Sequence, residues 1–133
     1  MTGDGRADVA VGAPGEQVGT VPGTGSVTLF KSAANGGLTG GKAWHQETTG
    51  VPGVAEKNDQ FGSSVRLKDI NRNGRADLAI GARGEDIGTS ADAGAVWVLR
   101  GTTTGATTPY ATSFNGSDFG AGGAGRGFGE TLR

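Results

Sequence analysis

The sequence repeats itself at long range. Residues 3–16, GDGRADVAVGAPGE, align with residues 72–85, RNGRADLAIGARGE, so Gly5 matches Gly74 and Asp8 matches Asp77, a displacement of 69 residues. FGSSVR at 61–66 returns as FGETLR at 128–133, displaced by 67. A period of this length implies a repeated supersecondary unit larger than a hairpin, stacked against its own copy. At 133 residues the chain has room for one ordinary domain, so the repeat lies inside that domain.

One unit, read from Phe61, gives four short strands. SSVRLKD alternates, with Val65 and Leu67 on one face and Ser64, Arg66 and Lys68 on the other, as a half-buried strand does. ADLAIGA is almost continuously apolar and reads as a strand covered on both faces. AVWVLRG follows, rich in β-branched and aromatic residues, and YATSFNG is a weaker fourth strand. Glycine makes up 28 of the 133 residues, roughly three times average usage, which suits many tight turns between short strands. No segment carries a helical stripe of useful length. The chain is predicted to be all-β.

Extended over the chain, the unit appears out of phase. Residues 5–14, 25–31 and 42–48 read as strands two to four of one unit, together spanning 5–48. Residues 61–114 read as a complete unit, and 128–133 as the first strand of the next. That is two units' worth of strands, with one unit split between the two ends of a single segment, 1–133. Four-stranded antiparallel units in series are the blades of a β-propeller.

Between the first two strands of the complete unit lies an oxygen-rich loop. Asp69, Asn71, Asn73 and Asp77 place oxygen-bearing side chains on alternate positions, and Gly74 stands where a sharp turn is needed. An EF-hand would carry a bidentate glutamate three residues after Asp77, where this chain has Ile80. The same residues also suit an Asx-rich turn that closes on its own backbone, although the recurrence of the spacing argues for more. The earlier copy has Thr2, Asp4, Arg6 and Asp8 at matching positions, with nothing in the position of Asp69.

Other chemistry is thin. Cysteine is absent, which excludes disulfides and thiolate sites, and His45 is the single histidine. Without a nucleophile motif beside it, His45 makes no case for catalysis. Gly120, Gly122 and Gly125 satisfy GxGxxG, but a strand-like motif follows where a dinucleotide site needs a helix start. Twelve basic against thirteen acidic residues give no electrostatic case for nucleic acid or an anionic membrane. The longest apolar run, AVWVL, is far too short for a membrane span, and the opening MTGDGRADV lacks the apolar core of a signal peptide. Trp44 and Trp97 could stack a sugar, though tryptophans in strands more often fill the space between sheets.

FGSSVRLKDINRNGRADLAIGARGE resembles an FG-GAP repeat, the blade of the integrin α-subunit propeller and of bacterial relatives that include secreted actinobacterial proteins. Phe61-Gly62 supplies the FG. Gly12-Ala13-Pro14 is an intact GAP, and Gly81-Ala82-Arg83 an altered one. The resemblance implies a calcium loop of the form DxDxDGxxD, closed by its ninth-position aspartate. Asp69, Asn71 and Asn73 would then bind calcium through side chains, Arg75 through its carbonyl, and Asp77 as the closing carboxylate. Thr2, Asp4, Arg6 and Asp8 would form a weaker second site. It further implies a non-catalytic module for structural assembly and for recognition or adhesion, on a protein or glycan partner outside the cell. A carbohydrate-binding propeller and an accessory fragment of a secreted hydrolase are the alternatives.

Two blades do not close a propeller, and an open pair leaves strand edges bare. The expected partner is therefore the chain itself, in a head-to-tail homo-oligomer whose ring is completed by exchange of residues 128–133, a trimer in preference to a tetramer.

Overall fold

The computed structural model describes all 133 residues and contains two antiparallel sheets. The first is β1 (Val9–Ala13), β2 (Ser26–Ser32) and β3 (Leu38–Trp44), paired in that order. The second is β4 (Phe61–Lys68), β5 (Asp77–Ala82), β6 (Ala95–Thr102) and β7 (Gly105–Asn115), also in chain order. The meandering order needs no crossover, because each strand is joined to its antiparallel neighbour by a connection that turns back on itself. All-β is confirmed, with one exception: residues Gly116–Phe119 form a 3-10 turn, capped by the Asn115 side chain on the Ser117 N–H and by Asp118 reaching back to the Asn115 N–H.

Equivalent strands occupy equivalent places. Val9 and Val11 of β1 correspond to Leu78 and Ile80 of β5, and Val27 and Leu29 of β2 to Val96 and Val98 of β6. The sheets stack face to face around a core built from Val27, Leu29 and Trp44 on one side and Phe61, Leu78, Ile80 and Trp97 on the other. Phe61 meets Trp97 edge-on, with centroids 5.3 Å apart. The Trp97 indole N–H donates to the Pro52 carbonyl at 2.8 Å, fastening the connection between the sheets to the second one.

Several strand boundaries depart from the sequence reading: β1 begins at Val9 rather than at residue 5, and β7 begins at Gly105 rather than at Tyr110. The third strand of the first sheet was expected over 42–48 and runs Leu38–Trp44. His45 leaves the ladder because a turn begins there, with the Thr48 N–H on the His45 carbonyl and the His45 N–H on the Thr48 hydroxyl. Upstream, Gly40 and Gly41 adopt φ of 93° and 81°, and Gly41 is the extra residue of a bulge in β3 opposite Leu29 and Phe30, which lets β3 extend where propensity is poor. Residues 128–133 form no ladder within the chain.

The joint between the sheets is main chain against main chain. The N–H groups of Asn58, Gln60 and Phe61 donate to the carbonyls of Pro22, Gly23 and Thr24 at 3.2, 3.0 and 2.9 Å. A Cβ on Gly12 would overlap the Gly62 carbonyl, and one on Gly25 would overlap the Phe61 backbone. The arrangement recurs one unit later. Gly125, Gly127 and Phe128 donate to Ala91, Asp92 and Ala93 at 2.8, 3.1 and 2.9 Å, while Gly81 and Gly94 lie against the Gly129 and Phe128 backbones. The Ser64 hydroxyl also donates to the Gly129 carbonyl at 2.5 Å. Phe128 stacks there on Phe119 and meets Phe114 edge-on.

Candidate metal centre

The loop joining β4 to β5 turns its side-chain oxygens inward. Asp69 accepts the Asn73 N–H on Oδ1 at 3.0 Å and the Gly74 N–H on Oδ2 at 2.8 Å. Asn71 Oδ1 accepts the Asn73 N–H at 3.1 Å, and Asn73 Oδ1 accepts the Arg75 N–H at 2.9 Å. Gly74, at φ 81°, makes the sharp turn that brings them together. Asp77, at the start of β5, is buried. Its Oδ2 accepts the Ile70 N–H at 3.1 Å, and its Oδ1 accepts the Gly101 N–H of β6 at 2.9 Å and the Asn71 amide at 3.3 Å. One carboxylate thus ties the loop entry to two strands.

These are the bonds of an Asx-rich turn, the alternative open from sequence. They also leave capacity for an ion, because each carboxylate or amide oxygen has two lone pairs and most of these accept a single N–H. Nowhere in the chain do three Asp, Glu, His or Cys side chains gather as a metal cluster, so an ion here must draw on amide and backbone oxygens as well. Five oxygen donors, two of them carboxyl groups and none nitrogen or sulfur, fit a hard cation such as calcium.

The earlier loop repeats the anchor. Asp8 Oδ2 accepts the Thr2 N–H at 3.0 Å and pairs with the Met1 amino group at 2.7 Å, and its Oδ1 accepts the Ser32 N–H at 3.2 Å, as Asp77 does with Gly101. Burial opposes the Asp8 charge, but these donors prevail and hold its carboxyl below the ordinary value. Asp4 differs from its counterpart Asn73. Its Oδ1 takes the Arg6 N–H at 3.0 Å, and its Oδ2 is paired with the Arg6 guanidinium at 3.2 Å. Thr2 Oγ1, at the position of Asn71, is buried without a partner.

Trp44 and Trp97 are each 1% exposed, so neither presents a face on which a sugar could stack. This removes the residues on which the carbohydrate reading rested. His45 Nδ1 is buried without a partner, and no nucleophile is bonded to the ring.

Sequence reasoning missed a second group of carboxyls. Asp59 is buried and accepts the Glu56 N–H at 2.6 Å, which closes the turn before Phe61. Gln46 Nε2 donates to Glu85 Oε2 at 2.7 Å and to the Val54 carbonyl at 3.3 Å. Burial pushes Asp59 up to about 6 and Glu85 up to about 7, with Glu56 and Asp86 adding negative charge nearby. Gln46 and Glu85 are 39 residues apart, and no local pattern marks them as neighbours. The group binds the connection between the sheets to the loop after β5.

The FG-GAP repeat family model matches residues 1–30 and 61–99, more than half of the chain and both copies of the internal repeat.

Proposed function

The chain belongs to the FG-GAP repeat family, and from that premise we propose that it works as a calcium-stabilised β-propeller module serving structural assembly and protein recognition. FG-GAP repeats are generally non-catalytic propeller modules, and we read this chain as one, with no reaction assigned to it. The observation that carries the calcium reading is the inward-turned oxygen set of Asp69, Asn71, Asn73 and Asp77 at the mouth of the β4–β5 hairpin. Those residues, with the Arg75 carbonyl, would hold the ion. Bound calcium would supply positive charge that draws the loop's two carboxylates together.

The work of the chain's own residues is positioning. Asp77 fixes the loop entry to β5 and β6, and Gly74 provides the reversal. Asp69 closes over the turn. With only two carboxylates the affinity falls to the level of extracellular modules, with dissociation constants on the order of 10⁻⁴–10⁻³ M. We accordingly place the parent protein outside the cell, where calcium is abundant. The Thr2–Asp8 loop would bind more weakly, because Arg6 already neutralises Asp4.

Calorimetric melting with calcium and with excess chelator tests this. Calcium binding only the folded chain raises the melting temperature. Asp69→Ala should remove most of that response and lower the chelated melting point only slightly, through the loss of two exposed hydrogen bonds in the turn. An identical melting curve with calcium and with chelator refutes the calcium reading.

A further inference from the structure

Two lysines of the first sheet share one groove. Lys31 lies on β2 and Lys42 on β3, where Lys42 is paired with Leu29, two residues before Lys31. Strand alternation puts Leu29, Lys31 and Lys42 on the face that Val27 and Trp44 turn to the second sheet. Leu29 is only 3% exposed, because the β6–β7 turn closes over it: a Cβ on Gly105 would lie 3.6 Å from its Cδ2. The result is a groove of about 430 Å³, with Leu29 as its floor, the two lysines on the first sheet's side and Thr104 of the turn on the other. Gly40 and Gly41 complete the lining. They carry no side chains, so nothing from that stretch of β3 fills the space.

The charge in this groove is uncompensated. The ion pairs of the chain join Met1 to Asp8, Arg6 to Asp4 and Arg83 to Glu130, and neither lysine takes part. No acidic residue lines the groove. The depressions beside Arg83, by contrast, both contain Glu130, which pairs with it. Lys42 is positioned by the Trp44 ring, with Nζ 5.0 Å from the ring centroid, a contact that places the ammonium without neutralising it. The second lysine is no requirement of the repeat. In the second sheet Arg100 stands where Lys31 does, but Thr112, opposite Val98, stands in place of Lys42 opposite Leu29.

We propose that this groove is a recognition site for an acidic segment of a partner protein, with a glutamate carboxylate taken between Lys31 and Lys42 and its aliphatic stem laid on Leu29. Two ammonium groups supply charge-assisted hydrogen bonds to the carboxylate, and the pairing of unlike charges sets which partner is accepted. The apolar floor suits a side chain that is anionic only at its tip. A peptide is favoured over an acidic glycan because the lining offers no aromatic face to a sugar ring, Trp44 being 1% exposed. The proposal names a partner for the protein-recognition reading and rests on it, but not on calcium.

Nuclear magnetic resonance titration of the full chain with triglutamate peptide, in calcium-free buffer, tests it. The amides of Leu29, Lys31, Gly40, Gly41, Lys42 and Thr104 should shift together and saturate. Lys31→Gln/Lys42→Gln should weaken binding about tenfold, with circular dichroism unchanged because both lysines stand outside the core. Lys31→Arg/Lys42→Arg keeps the charge and should bind as the parent chain does. Lys57→Gln/Lys68→Gln, an equal loss of charge at exposed positions elsewhere, should leave binding unchanged. Shifts spread over all the basic residues, no saturable shift, or equal weakening by the two glutamine pairs overturns the proposal. Tighter binding of a sulfated disaccharide than of triglutamate also overturns it, since the groove would then belong to a glycan. The titration needs no calcium and the melting shift needs no peptide, so either reading can fail while the other stands.

Discussion

Replacing single glycines by alanine separates backbone strain from sheet docking. Three sites make the comparison. Gly36 has φ 84° in the β2–β3 turn, with nothing within 4 Å of where a Cβ would stand. Gly12 has an ordinary backbone, but its Cβ would overlap the Gly62 carbonyl. Gly25 combines both conditions, with φ 84° and a Cβ position overlapping the Phe61 backbone. Gly36→Ala should therefore cost only the left-handed penalty, about 1–2 kcal/mol. Gly12→Ala should cost about 1–3 kcal/mol by overpacking, because its neighbour is main chain and cannot rotate away. Gly25→Ala adds both terms and strains the Phe61 N–H to Thr24 carbonyl bond, for about 3–5 kcal/mol in total. Against a typical domain stability of about 5–15 kcal/mol, that is a large share. Urea unfolding measures all three, and at roughly 3–5 °C per kcal/mol Gly25→Ala should melt on the order of 10–20 °C low. The double variant Gly12→Ala/Gly25→Ala should cost less than the sum, since both break one joint. Equal losses at Gly25 and Gly36 would show that the sheets do not depend on this contact.

Asp77→Ala strands the Ile70 and Gly101 N–H groups inside the fold and should cost about 3–5 kcal/mol even in chelator, measured by urea unfolding. A loss below 1 kcal/mol would mean that Asp77 serves only a ligand. Trp97→Phe keeps the edge contact with Phe61 but leaves the Pro52 carbonyl unpaired, for about 1 kcal/mol by the same measurement, and no loss would deny the bond's role. Asp59 and Glu85, raised to about 6 and about 7, bind more protons folded than unfolded. Their contribution to stability is full below about pH 4 and is lost as pH rises through about 6 to 7. At fixed calcium the melting temperature should be higher at about pH 5 than at about pH 8, and Glu85→Gln should flatten the difference; a rise between those values contradicts the assignment.

What was legible in the sequence was whatever acts over short range. The alternation in SSVRLKD gave β4, the apolar run ADLAIGA gave β5, and the alternate oxygens of 69–77 gave the loop. Asp77 was legible as a carboxylate in a loop but not as the acceptor that holds β6, because Gly101 is 24 residues away. LTGGKAW gave a poor strand signal, since its pairing depends on a bulge at its own Gly41. The 3-10 turn after β7 did carry a readable sign, asparagine followed three residues later by aspartate, and it was overlooked among the glycines. The burial of Asp59 and Glu85 had no local sign, because it is a property of the stacked sheets.

The glycine-to-carbonyl joint has an evolutionary consequence. The main-chain part of the seam reads little side-chain code beyond a phenylalanine–glycine start and two facing glycines, and the apolar core adds only a demand for apolar faces of matching size. Units that keep those residues and such a face can be duplicated, lost or grafted with few changes to their neighbours. The altered Gly81-Ala82-Arg83 keeps its glycine and accepts arginine where the earlier copy has proline, and the seat for Phe128-Gly129 survives the change. Drift elsewhere on the unit is then free to follow whatever its exposed loops are selected to touch.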